Sequence, residues 1–200
     1  MATTNHIDPA SITAAVANVE RELDWALRRL RAEAVQPERD VSSLGGALGA
    51  ILSSIYTLSF SYMIEPPQSA TRGPVQHGAA RPDYLVTRVE GAWAMQHGFE
   101  PVDGGLHGRP VALFDVKRRA SDAGGGSLNT GDYAGNLADP TMLNGFLVVL
   151  VLGEDTRVWR VDTPGAAPRE LTKCATGDST FLRYMVESAF SNGRPVGVNG

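Results

Sequence analysis

Residues Phe146–Leu152 read Phe-Leu-Val-Val-Leu-Val-Leu, seven apolar side chains without interruption. Seven residues is the length of a strand, and a strand with no polar position has to be covered on both faces. The chain must therefore supply a sheet and the layers that bury it. Gly153-Glu154-Asp155 follows as the turn of a hairpin that returns along 157–161. At 200 residues, 42% hydrophobic and 20% charged, the chain has enough material for one domain with a real core. Disordered, collagenous and coiled-coil architectures do not fit that composition.

Upstream, the periodicity is helical. Asp8-Pro9 has the form of a capped helix start, with proline at the first helical position. Ile12, Val16, Val19, Leu23, Leu27 and Leu30 then trace one apolar face, which predicts a helix over 9–35 ended by Gln36-Pro37. Leu44, Leu48, Ile51, Ile55 and Leu58 form a second stripe and predict a helix over 43–63. Residues 41–64 carry no formal charge and are about long enough to span a bilayer. Six serines, three glycines and Thr57 interrupt the run, however, so it reads as a buried helix rather than a membrane span. Prolines 66, 67 and 74 with Gly73 and Gly78 make 65–80 a loop.

Beyond that loop the composition turns to strands, at Tyr84–Val89, 91–99 and 110–117. Residues 121–135, with Gly124-Gly125-Gly126 and few apolar anchors, read as a mobile loop. Asp178 caps a last helix over 178–191 that carries Phe181, Tyr184, Met185 and Phe190. The expectation is an α/β fold of the α+β kind: a central mixed β-sheet flanked by helices, with an N-terminal helical pair. A single domain, 1–200, would comprise a helical part at 9–63, a sheet core at 80–162 and the C-terminal helix.

The chemistry gathers at two strand ends. On an extended strand, residues two apart share a face, so Asp115 and Lys117 project together while Val116 points the other way. If strand pairing brings Asp83 beside them, two carboxylates and the Val116 carbonyl make a hard oxygen site suited to Mg²⁺ or Mn²⁺. Lys117 would then stand beside a bound water, and such a site fits phosphodiester hydrolysis. Lysine is scarce here, two against sixteen arginines, yet one of the two closes an apolar strand two residues from an acid.

Through Pro82-Asp83 and Asp115-Val116-Lys117 the chain resembles the PD-(D/E)XK nuclease superfamily, the restriction-endonuclease-like fold. Roughly 80–162 carries the resemblance: strand, strand, a third strand ending in D-x-K, a loop or helix, and an apolar strand. It implies a Mg²⁺-dependent endonuclease acting on nucleic acid, DNA first, with Asp83, Asp115 and Lys117 as the catalytic set. The family often adds a glutamate from the helix before the sheet, for which Glu20 and Glu22 are the candidates. Arg81, Arg118 and Arg119 flank the motifs as nucleic-acid contacts, and Arg88, Arg109, Arg157 and Arg160 extend the same basic region. That distribution permits a positive groove on a chain whose net charge is −4. The same number argues against a protein that coats nucleic acid by bulk charge.

The other constellations favour packing over chemistry. His77, His97 and His107 lack the spacing of a helical metal site, and Gly124-Gly125-Gly126-Ser127 is neither a phosphate loop nor a nucleophile elbow. Trp25, Trp93 and Trp159 read as packing residues, with base stacking as the alternative for an exposed one. Cys174 is alone, so no internal disulfide forms, and an intracellular protein, cytoplasmic or nuclear, is expected. The rival function is a nuclease-like fold without activity. In that reading, helices 9–35 and 43–63 form a homo-oligomer interface or a viral or cellular assembly contact.

Overall fold

A computed structural model describes residues 8–36, 41–56, 62–65, 82–89, 108–117, 133, 137–139 and 145–193. Within them lie helices α1 (Pro9–Glu22), α2 (Asp24–Ala34), α3 (Val41–Ile55) and α4 (Ser179–Gly193). The strands are β1 (Tyr62–Glu65), β2 (Tyr84–Val89), β3 (Gly108–Lys117), β4 (Phe146–Leu152), β5 (Asp155–Val161) and β6 (Arg169–Ala175). The strands join in one mixed sheet in the order β1-β2-β3-β4-β5-β6. Only β3 and β4 run parallel; every other neighbouring pair is antiparallel. The class is α+β, as the periodicity predicts.

Asp8 caps α1 by accepting from the Ala10 N–H at 3.2 Å, with Pro9 in the first turn. The single helix expected over 9–35 is instead two. Leu23 leaves the helical region at φ −107°, ψ 18°, while its N–H still bonds the Val19 carbonyl at 2.9 Å. Nothing in the local sequence breaks the helix there. The bend lets α1 pack on α4 while α2 packs on α3, so tertiary contact overrides continuous propensity.

The helix expected over 43–63 stops at Ile55, and Tyr62–Glu65 forms β1, antiparallel to β2. Tyr62 and its neighbours are aromatic and aliphatic residues that pack well on a pleated surface, and pairing there covers the free edge of β2. Tyr62 is buried, and its hydroxyl donates to the Ala189 carbonyl at 2.8 Å, pinning this edge of the sheet to α4. Strand β6 is likewise absent from the sequence reading. Its seven residues, Arg-Glu-Leu-Thr-Lys-Cys-Ala, alternate only weakly because an edge strand keeps one side in water and gains protection from its charges. Of the loop expected at 65–80, Glu65 instead ends β1; the rest of it, the expected strand at 91–99 and nearly all of the loop at 121–135 lie outside the described residues.

All seven residues of β4 are buried, and they divide by alternation between two clusters. Leu147, Val149 and Val151 join Ala112, Phe114 and Val116 of β3 against Leu27, Leu30, Leu48, Ile51, Phe181 and other residues of the four helices. Phe146, Val148, Leu150 and Leu152 face the other way. They pack with Leu113, Trp159 and Val161, and with Tyr133 and Leu137 from the connection between β3 and β4. A parallel pair requires such a crossover, and its buried residues supply the second covering layer. Gly153, at φ 61°, turns β4 into β5 in a conformation that favours glycine.

Candidate functional site

The pairing of β2 with β3 begins at Tyr84 opposite Phe114. One residue further out, Asp83 and Asp115 therefore meet at the same level, on the face away from the helices. Asp115 follows Leu113 by two positions and shares its side of the strand. Asp83 accepts from the Val116 N–H through Oδ2 at 2.7 Å. A strand residue directs its N–H and C=O to the same edge, so the Val116 carbonyl also faces the Asp83 side. The Val116 side chain enters the helix-covered core, as alternation requires.

Asp115 is 3% exposed. The Lys117 ammonium donates to its Oδ1 at 3.1 Å, and the Tyr133 hydroxyl donates to its Oδ2. Burial pushes the half-buried Asp83 carboxyl up to about 6, and the neighbouring Asp115 carboxylate adds to the rise. The Val116 N–H and the Lys117 charge oppose it. The structure thus brings Asp83, Asp115, Val116 and Lys117 into one cluster.

Helix α3 braces this cluster from the far side of the sheet. The Tyr84 hydroxyl donates to the Gly45 carbonyl at 2.8 Å. A Cβ at Gly49 would lie 3.0 Å from the same hydroxyl oxygen, so glycine permits this close approach of helix to strand. By fixing Tyr84, α3 fixes the position from which Asp83 extends. Helix α3 contains no acid. Glu20 and Glu22 belong to α1, where Glu20 is half-buried and Glu22 is exposed and accepts from Asn18 on its own helix at 3.0 Å. No described contact brings either one to the acidic pair.

Tyr133 is the member of the site that sequence reasoning missed. It falls inside the stretch read as mobile, yet it is 5% exposed and bonded to Asp115. The available signal was slight: a lone aromatic residue among glycines and polar residues downstream of D-x-K.

Arg81, Arg118, Arg119, His77, His97, His107 and Trp93 lie outside the described residues. Arg88 and Arg109 pair across β2 and β3 at the opposite end of the strands from Asp83. Arg160 is exposed and bonds Asp162 at 2.9 Å. Arg157 is the sheet arginine that the register puts level with Asp115, by way of Leu150. Trp159 is buried, whereas Trp25 is 63% exposed on α2. Burial pushes the Cys174 thiol up to about 12, helped by Asp178 and Asp155, which makes it a poor nucleophile.

Chemically, the cluster offers two carboxylates, a carbonyl, an ammonium and a phenol at one strand end. Among the described residues no group of three or more histidine, cysteine or acidic side chains is positioned to hold a metal. Two carboxylates satisfy a hard cation that keeps several waters, the usual manner of Mg²⁺. No described helix is long and apolar enough to cross a membrane. No family model, no curated protein and no solved structure matches the chain.

Proposed function

We propose that the protein is a metal-dependent nuclease with the restriction-endonuclease-like fold of the PD-(D/E)XK superfamily, hydrolysing phosphodiester bonds in nucleic acid, DNA before RNA. One observation carries the reading: Asp83 and Asp115 stand side by side across β2 and β3, with Lys117 bonded to the second acid. The sheet supports it. D-x-K closes the third strand, and the next strand is apolar and parallel to it, reached by a crossover. The first strand of that series is Tyr62–Glu65, upstream of the segment in which the motifs occur.

Asp83, Asp115 and the Val116 carbonyl would hold Mg²⁺ or Mn²⁺. Such a cation neutralises a phosphate oxygen and makes its own water more acidic. Asp83 has to ionise to take part, and its raised pKa keeps a proton on a share of the molecules near pH 6. Lys117, held at the mouth of the site by Asp115, orients the attacking water and offsets the negative charge that grows on phosphorus. Tyr133 restrains the Asp115 carboxylate by donating to Oδ2. Lys117 is the more exposed member of that pair, so its charge would be open to an incoming phosphate.

A non-catalytic module remains the second reading, and Trp25 is the observation that favours it. A tryptophan exposed on α2, with Val35 exposed at the end of the same helix, is suited to a partner surface. The uncharged α3 does not add to that surface. Leu44, Leu48, Ile51 and Leu52 are buried in the chain's own core.

The test is incubation of purified protein with single-stranded and duplex DNA and with RNA, each with Mg²⁺, with Mn²⁺ and with chelator. Cleavage that needs the metal is the expected result. Absence of cutting under every condition hands the assignment to the binding module.

A further inference from the structure

The far side of the site holds a cation that the reaction scheme does not use. Across β3, β4, β5 and β6 the register runs Asp115, Leu150, Arg157, Lys173, so these four residues stand in one row on one face. Two strand spacings separate Asp115 from Arg157, roughly 10 Å between backbones. Leu150 lies buried between them, in the apolar cluster that Tyr133 and Leu137 cover.

The charges along this end of the sheet are partnered unevenly. Lys117 is bonded to Asp115 at 3.1 Å, and Lys173 to Asp155 at 2.8 Å. Asp155 is two positions from Arg157 on the same strand face, one row further along, and already engaged by Lys173. The Arg157 Nε–H is buried and, among the described residues, has no hydrogen-bond acceptor. A buried donor left without an acceptor destabilises the free protein, and an incoming oxygen acceptor would relieve that cost.

Resting on the nuclease reading above, we propose that Arg157 is a phosphate-binding residue. It would hold a backbone phosphate of the nucleic acid other than the one attacked at Asp83 and Asp115. The planar guanidinium fork suits a phosphate geometrically, and Lys173, paired with Asp155, leaves Arg157 as the unpaired cation of the row among the described residues. The acidic pair and Arg157 then mark two points along one polyanion passing the end of the sheet. A single small anion does not need both, whereas a polynucleotide does.

Arg157→Met tests this, because it keeps the aliphatic stem and removes the donors. Binding of a labelled single-stranded DNA oligonucleotide, measured in chelator at several salt concentrations, should weaken roughly tenfold with the salt slope reduced by about one. The melting temperature should hold or rise, since an orphaned buried donor has gone. Arg157→Lys, which retains charge but loses the fork, should fall between the two. In the wild type, the ¹⁵N–¹H resonance of Arg157 Nε should move on titration with inorganic phosphate and with the oligonucleotide. Equal affinity and equal salt slope in wild type and Arg157→Met overturn the subsite, as does an Nε resonance that ignores both probes. The cleavage assay on wild type separates the two proposals. A protein that cuts but shows no effect at Arg157 keeps the nuclease and loses the subsite. One that never cuts yet shifts Nε with phosphate loses the nuclease and keeps an anion site.

Discussion

The two faces of the sheet are built from the same strands and do opposite work. On β3, Ala112, Phe114 and Val116 point toward the helices, while Leu113, Asp115 and Lys117 point away. The helix face holds an apolar core contributed to by all four helices. The other face is apolar only toward its middle; at the carboxyl end of β3 it gives way to two acids, a lysine and a tyrosine. Alternation with a period of two thus lets one strand hold the fold with one set of residues and present ionisable groups with the other. Damage to the two sets should separate into lost stability and lost activity.

The largest expected effect comes from the helix face. Phe114 is 0% exposed, and Phe114→Ala should destabilise the protein by about 3–5 kcal/mol, read as a lower denaturant midpoint. Lys117→Ala should act first on activity. On the nuclease proposal, cleavage should fall by about 10²–10³ with the loss of the charge assigned to transition-state stabilisation. Its midpoint should fall by about 1–3 kcal/mol, less than in Phe114→Ala, because Lys117 itself is half-exposed but its loss takes a partner from the buried Asp115 carboxylate. A loss of stability in Lys117→Ala as large as that in Phe114→Ala, or of activity alone in Phe114→Ala, would break the division between the faces.

Smaller effects sharpen it. Tyr133→Phe removes the hydroxyl that donates to a buried carboxylate and should cost about 1–3 kcal/mol of stability. If the melting curve is unchanged, Tyr133 does not hold Asp115. The smallest effect is on pH dependence. The Asp83 carboxyl rises from 3.8 to about 6, so between those values the folded chain binds more protons than the unfolded one. Metal-free stability should therefore fall as pH rises through that window. Asp83 is half-buried, and solvent screening holds the change below about 1 kcal/mol. Asp83→Asn should flatten the slope, a difference visible in melts at pH 4, 5, 6 and 7.

The parts of the molecule that were legible in the sequence are those whose signal is local. Strand β4 announces itself by seven apolar residues, and Asp115 and Lys117 by closing the apolar run of β3. Asp83 was legible as a partner because an acid at a strand start, brought beside a strand end, makes a pair. The misses share a different cause. Tyr62–Glu65 continues an uncharged run whose first part is helical, and only the open edge of β2 decides that it pairs. The bend at Leu23 follows from α1 and α2 packing on different helices, with no glycine or proline to mark it. Strand β6 is an edge and lacks alternation. Tyr133 reaches Asp115 from 18 positions away in sequence, a contact no local pattern encodes.

The claim on which the account rests is that Asp83 and Asp115 form one cation site on the chemical face of the sheet. Thermal melting of the wild type and of Asp115→Asn across a Mg²⁺ titration, repeated with Mn²⁺, tests it most directly. A wild-type site should raise stability by about 2.7 kcal/mol once the free ion reaches a hundred times its dissociation constant. Asp115→Asn, which keeps the shape but not the charge, should melt at the same temperature with and without the ion. A wild-type melting curve indifferent to both metals, or an equal rise in the variant, contradicts the site.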